Sequence, residues 1–450
     1  MRLSFPISSE LQSVGQYCIS EPTPNLPFLQ PNSSKISLNN NNIDSFSSRA
    51  KLSCDEEQLA LSSLSTTSTS SFSSSSSFAF SSTKTTLCKK WMDIQGFKNW
   101  EGLLDPLDEN LRGEIVRYGH FVDAAYKSCD FEPSSPSYAQ CRYSKRKLLA
   151  LSGLPETGYR VTKNLIATSG IQLPKWTERA PNGMAMRSSW IGYVAVCQDK
   201  RVISKLGRRD VVIALRGTAT CLEWLENLRA TLTPMLSGQN NNNDIHHDDD
   251  SSLPMVDNGF LSLYTSKIGG FQSLQDSLRQ EIKRIMSIYV DEPLSFTVTG
   301  HSLGAALATL AAYDIKETFK CKHLVTVVSF GGPRVGNHSF RCRLEEQGTK
   351  VLRIVNSDDL ITKVPGFVPD DEPPAAGEPS SSMGNNNNNN HLLTSWIEKV
   401  MEDNQWVYAN VGRELRLSSR NSPELNGGDF ATSHELKTYL HLVNGFVSSH

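Results

Sequence analysis

The chain has 450 residues, 38% of them hydrophobic and 20% charged, with a formal net charge of −2. A folded part of about 350 residues is long enough to bury a full core, and the charge balance forms no basic stripe of the kind nucleic-acid binding needs. No run of roughly 18 apolar residues occurs, which excludes a transmembrane helix and leaves any membrane contact peripheral.

The nine cysteines include no CxxC pair. That spacing argues against a zinc site and against a dense disulfide framework, so mostly reduced thiols in an intracellular compartment are expected. Cys129 and Cys141 stay open as a loop bridge.

Residues 1–85 do not read as a folded unit. Serine dominates, most of all from Leu61 to Thr83. Acidic residues are sparse, and no apolar core follows Met1-Arg2. A Ser-rich, acid-poor leader is the composition of an organelle transit peptide, and the scarcity of arginine (Arg2, Arg49) favours a chloroplast over a mitochondrial address. A plain disordered tail would share this composition.

Folded character is expected from about Trp91, with one domain over 90–450. Between Trp100 and Tyr126 apolar positions, Ile115, Phe121 and Ala125 among them, recur at helical spacing. Asp210–Arg216 (DVVIALR) is a buried β-branched strand. Two segments lose pattern, 237–252 and 370–391, and are expected to be polar surface loops. The first holds His246, His247 and Asp248 to Asp250; with nothing to fix ligand geometry, it reads as a solvated loop and not as a metal site. Further strands are expected at Leu294–Thr299, Leu324–Phe330 and Val351–Asn356, with a helix from Leu303. Strands alternating with helices predict an α/β fold with a mostly parallel central sheet flanked by helices, whose chemistry sits at the carboxyl ends of the strands.

Gly300-His301-Ser302-Leu303-Gly304 is a G-x-S-x-G pattern with a strand before it and an Ala-rich helix after it. In that context the turn is tight enough to require Gly300 and Gly304. It holds Ser302 in a strained conformation with its hydroxyl above the sheet. The helix then offers the Leu303 N–H to an oxyanion. The bland alternative is a tight turn with an inert serine.

The chain order of such a fold requires an acid and then a histidine after the serine. Asp358 and Asp359 both lie just past the strand ending at Asn356, and spacing does not choose between them; both also suit the capping of the next turn. Of the histidines, His434 sits between a turn-rich segment and a helical stretch and is the candidate base. His441 falls inside that helix as a packing residue, and His301 is expected to make supporting hydrogen bonds. Ser302 is a weak nucleophile until the histidine takes its proton, and a carboxylate must orient the imidazolium that forms. Attack on an ester carbonyl creates an oxyanion whose fixed donors are worth about 3–4 kcal/mol each. Leu303 supplies one, and Thr218, after Arg216-Gly217 at the end of an earlier strand, supplies the other. This chemistry calls for no metal and no cofactor.

Four stretches resemble lipase class 3: ALRGT (Ala214–Thr218), GHSLGAALATLAA (Gly300–Ala312), FGGPRVGN (Phe330–Asn337) and VNSDDLITKVP (Val355–Pro365). WEGLLDPLDENLRGEIVRYG, GTATCLEWLENLRATLTP and SHELKTYLHLVNGF are similar to the plant class I phospholipases A1, the plastid acylhydrolases of the anther-dehiscence lipase type. The likeness runs from about Trp91 to Gly445. It implies an α/β-hydrolase fold, selects Asp359 over Asp358 as the acid, and supports His434 and Thr218. Thr362 stands where many relatives have proline. The implied activity is hydrolysis of the sn-1 acyl ester of phospholipids or galactolipids in plastids, releasing linolenate for jasmonate synthesis.

Leu222, Leu225 and Leu228 repeat every three residues beside Trp224, and resemble the lid helix of fungal relatives. The expectation is that they meet membrane glycerolipids at an interface, although an ordinary amphipathic helix has the same pattern. A triacylglycerol lipase or general carboxylesterase would share the triad. A lipase-like signalling protein would usually have lost one of its members, and all three are present here. Nothing in the sequence specifies an oligomeric state.

Overall fold

The computed structural model describes residues 86–168, 188–218, 231–235, 253–267, 270, 272–364, 408–422, 425 and 430–446. The Ser-rich leader, the loops over 237–252 and 370–391, and the lid positions Leu222, Trp224, Leu225 and Leu228 lie outside the described residues.

Among those residues the strands are β1 (Tyr159–Thr168), β2 (Ser188–Cys197), β3 (Arg209–Leu215), β4 (Leu232–Pro234), β5 (Met255–Asp257), β6 (Leu294–His301), β7 (Leu324–Phe330), β8 (Lys350–Asn356) and β9 (Arg413–Leu417). The helices are α1 (Thr86–Ile94), α2 (Glu109–Ser128), α3 (Leu148–Leu151), α4 (Lys200–Leu206), α5 (Asn258–Thr265), α6 (Leu274–Ile288), α7 (Leu303–Phe319), α8 (His338–Glu346), α9 (Phe430–His434) and α10 (Leu436–Gly445). The main sheet has the order β1-β2-β3-β6-β7-β8-β9. From β3 to β9 its neighbours are parallel, while β1–β2 and β2–β3 are antiparallel. β4 and β5 form a separate antiparallel pair.

The inner parallel strands β3, β6, β7 and β8 are buried on both faces, as helix-covered strands must be. Val211, Ile213 and Leu215 of β3 join Phe296, Val298, Val325 and Val327 beneath α5, α6 and α7. Val212 and Ala214 face the other way with Val328, Phe330, Leu352 and Ile354, against α2 and α10. A mixed sheet with this order and helices on both faces is the α/β-hydrolase arrangement.

Helix formation starts at Thr86, earlier than Trp91, and the chain from Gln95 to Leu107 is turns and not helix. Asp108 then caps α2, its carboxylate accepting from the N–H groups of Asn110 and Leu111. Cys129 and Cys141 face each other across an isolated antiparallel bridge, and both are thiols.

The first half of α2 is fixed to the sheet by a buried charge network. Glu114 receives Arg117 at 2.7 Å and Arg208 at 3.1 Å, and Arg117 also reaches Asp210 at 3.1 Å. Tyr118 and Tyr159 both donate to Asp210 Oδ2. Burial pushes the Asp210 and Glu114 carboxyls up, but the Arg208 and Arg117 charges outweigh it and hold both below the usual range. Removing one partner from such a network strands the others in low dielectric. Arg208→Ala is therefore expected to cost about 3–5 kcal/mol of unfolding free energy, read by denaturant titration.

Asp257, at the end of β5, behaves oppositely. Its carboxylate accepts from Phe260 N–H and Tyr408 O–H, yet burial raises its pKa to about 7 against an ordinary 3.8. The folded chain thus holds a proton that the unfolded chain has already lost. That contribution to stability is complete below about pH 4 and disappears as pH rises through about 7. Asp257→Asn, which mimics the protonated acid, is expected to raise the melting temperature most at pH 8, by less at pH 5 and hardly at all below about pH 4; equal shifts at pH 5 and pH 8 would contradict this.

Candidate active site

β6 runs into α7 through Ser302, whose backbone sits at φ 57° and ψ −125°. A side chain with positive φ outside glycine costs about 1–3 kcal/mol and persists only where its surroundings dictate it. Here they do. The Ser302 N–H donates to Phe330 O at 3.0 Å, across from β6 to β7. A Cβ at Gly300 would lie 2.2 Å from the Gly304 carbonyl oxygen, and one at Gly304 would lie 2.4 Å from the Leu215 oxygen. The first glycine lets the turn close, and the second lets α7 approach the end of β3. Leu303 then begins α7, so its N–H is in the first turn of a 17-residue helix.

Asp359 follows β8. Its Oδ2 is 2.7 Å from His434 Nδ1 and accepts from Tyr439 Oη at 2.6 Å. Its Oδ1 accepts from Ile361 N–H at the start of the 3-10 turn Leu360–Lys363. One carboxylate therefore both caps the turn and holds the imidazole. Burial, and then the charge of Asp359, push the Tyr439 phenol well above its ordinary range, so it remains a donor. Asp358 points elsewhere: it accepts from Ser419 and pairs with Arg420 at 2.8 Å. The structure thus brings Asp359, and not Asp358, to His434.

His434 ends the one-turn helix α9, directly before α10. Its backbone is held from two sides. Asn356 Nδ2 donates to Ser433 O at 3.0 Å, and His301 Nε2 lies 2.7 Å from His434 O. Gly331, at φ +55°, lies beneath the acid. A Cβ there would come 3.0 Å from the Tyr439 ring and 3.1 Å from Asp359 Oδ2.

The end of β3 abuts the serine. A Cβ built on Gly217 would be 3.0 Å from Ser302 Cβ, which places the Arg216-Gly217-Thr218 backbone beside Ser302. Arg216 is buried and holds this segment down, donating to Trp190 O, Gly217 O and Ser189 Oγ.

The structure gathers Ser302, Asp359, His434, Gly300, Gly304, Leu303 and the Thr218 segment at the carboxyl ends of β3, β6 and β8. Sequence reasoning missed Tyr126, Gly217, Gly331, Asn356 and Tyr439. All but Tyr126 stand inside the lipase-like stretches, but the sequence assigned them no part in the site. No group of three or more His, Cys, Asp or Glu residues among the described residues is arranged to hold a metal ion. A serine at a strained turn, a histidine oriented by a carboxylate and nearby backbone N–H groups are the parts that acyl transfer requires.

Residues 212–368 match the family model described as Lipase (class 3). Phospholipase A(1) DAD1, chloroplastic, of Arabidopsis thaliana is 61% identical over 369 residues, covering 82% of this chain and 79% of that protein. Phospholipase A1-Igamma2, chloroplastic, of the same plant is 39% identical, over 79% of this chain and 65% of that one. Galactolipase DONGLE, chloroplastic, also from Arabidopsis thaliana, is 39% identical, over 80% and 70% respectively.

The two neighbouring aspartates allow a sharp contrast. Asp359→Asn is expected to lower kcat on a soluble ester by about 10⁴, since the histidine loses its orienting carboxylate. Asp358→Asn is expected to stay within about threefold of wild type, because it alters only the packing of Ser419 and Arg420. Equal losses in the two variants would show that residue 359 has no special place.

Proposed function

The chain belongs to the class 3 lipases, a family of ester hydrolases with an α/β-hydrolase fold, and from that footing we propose that it is a phospholipase A1-type acylhydrolase. Its substrates are membrane phospholipids and galactolipids, cleaved at the sn-1 acyl ester. The observation that carries this reading is the His434–Asp359 pair at 2.7 Å, set beside a serine in an elbow conformation. Identity of 61% to a protein named a chloroplastic phospholipase A(1), and of 39% to one named a galactolipase, supports the substrate class and a chloroplast location. The Ser-rich leader supports that location as well, acting as a transit peptide.

In this reading His434 takes the Ser302 proton as Oγ attacks the ester carbonyl. The new imidazolium is held by Asp359, whose orientation is in turn fixed by Tyr439. The oxyanion accepts from the Leu303 N–H, favoured by the first turn of α7, and from Thr218. His434 then gives its proton to the leaving glyceryl oxygen, and a lysolipid departs. Water, activated by the same histidine, attacks the acyl-Ser302 ester and releases the fatty acid. The described part of the chain has no helix long and apolar enough to cross a membrane, and the reading has the enzyme meet its lipid peripherally.

The test offers phosphatidylcholine, monogalactosyldiacylglycerol and triacylglycerol, each with distinguishable sn-1 and sn-2 chains, with Ser302→Ala as the blank. Release of the sn-1 chain from the two polar lipids, at least about 10³-fold above the blank, is expected. Release from triacylglycerol alone, or from no lipid, would overturn the reading.

A further inference from the structure

Tyr126 and His301 are not members of the Ser302–Asp359–His434 set, yet they join its two sides. Tyr126 lies in the last turn of α2, the helix whose opposite end is fixed by the Glu114–Arg208–Asp210 network. Its hydroxyl oxygen accepts from the Gly217 N–H at 2.9 Å and lies 2.8 Å from His301 Nδ1. His301 Nε2 lies 2.7 Å from the His434 carbonyl oxygen.

The chemistry of the partners fixes every direction in this chain. A carbonyl oxygen only accepts, so His301 carries its hydrogen on Nε2. In a neutral ring Nδ1 is then the acceptor, so Tyr126 donates to it, leaving an oxygen lone pair for Gly217. Burial, together with the neighbouring His434, holds the His301 imidazole well below the usual histidine range, so the neutral form is the one present. Its ring lies 4.8 Å from the His434 ring, centroid to centroid. A Cβ on Gly217 would stand 2.5 Å from Tyr126 Oη and 2.9 Å from His301 O, so only a glycine fits where the two sides meet.

We infer that Tyr126 and His301 are positioning residues: the chain Gly217–Tyr126–His301–His434 ties the backbone beside Thr218 to the backbone that carries the base. Oxyanion donor and base thereby keep one separation through both halves of acyl transfer. The inference rests on the acyl-transfer reading of the site. It assigns the histidine of the G-H-S-L-G turn to spacing the machinery and not to proton transfer.

The experiment uses the full chain and four variants: His301→Leu, His301→Gln, Tyr126→Phe and the blank Ser302→Ala. Three quantities are read: the rate at which a fluorophosphonate labels the protein, kcat and KM on a soluble ester, and the melting temperature. Glutamine sets its amide N–H near the position of Nε2 and so keeps the bond to His434 O without a titratable group. Misplacing a reacting group by a fraction of an ångström to an ångström costs up to about 100-fold, so His301→Leu should lose about 10- to 100-fold in labelling rate and kcat, with KM within about twofold. His301→Gln should recover to within about fivefold of wild type, and Tyr126→Phe should lose about tenfold. A purely structural role would lower the melting temperature and leave labelling and kcat where they were, and that result overturns the inference. So does a His301→Gln loss as deep as that of leucine. Should His301→Leu fail to fold, Tyr126→Phe labelling at the wild-type rate decides against it. Wild type labelled no faster than Ser302→Ala would instead bring down the acyl-transfer reading, and the positioning role with it.

Discussion

Ser302 occupies a backbone conformation that an L-amino acid with a side chain ordinarily avoids, and the rest of the site depends on its being held there. The cost of about 1–3 kcal/mol is offset by what lies on either side. β6 is buried along its whole length between β3 and β7, and α7 is buried through most of its length. Two rigid elements with one residue between them leave that residue no alternative. The glycines at 300 and 304 remove the side chains that would otherwise block the closure.

The remaining groups reach the serine from elements far apart in sequence, and each is held by more than one bond. Asp359 is gripped by its own turn, by Tyr439 and by His434. The backbone at residues 433 and 434 is gripped by Asn356 and His301. The end of β3 is gripped by Arg216 and Tyr126. α2 contributes at both ends: a charge network fastens its first half to the bottom of the sheet, and Tyr126 reaches the top. Preorganisation of this kind lets fixed dipoles meet a developing oxyanion without rearrangement during the reaction.

What could be read from the sequence follows the range of the interactions. β3, β6, β7 and β8 were legible because a doubly buried parallel strand is an unbroken apolar or β-branched run. β1 and β2 were not singled out. β1 alternates irregularly over YRVTKNLIAT, and its pairing with β2 is interrupted by register shifts. β9, with RELRL at the sheet edge, is short and charged. Ser302 was legible because strand, turn and helix are contiguous. The choice between Asp358 and Asp359 was not, except through family resemblance, since it turns on contacts with Tyr439 and His434 that lie about 80 residues away. Tyr126 left no signal at all: its partner His301 is 175 residues distant, and only the packing of α2 across the sheet brings them together.

On the proposed function, this elbow forms a covalent acyl intermediate from the sn-1 chain of a polar lipid, and that intermediate can be trapped. Phosphatidylcholine carrying a deuterated sn-1 chain would be mixed with the wild-type protein, turnover stopped with acid within the first cycles, and the digested protein examined by mass spectrometry. The expected result is the mass of the deuterated acyl group on the peptide containing Ser302 and on no other. Free fatty acid appearing with that peptide unmodified, or the acyl group found on a different residue, would contradict it.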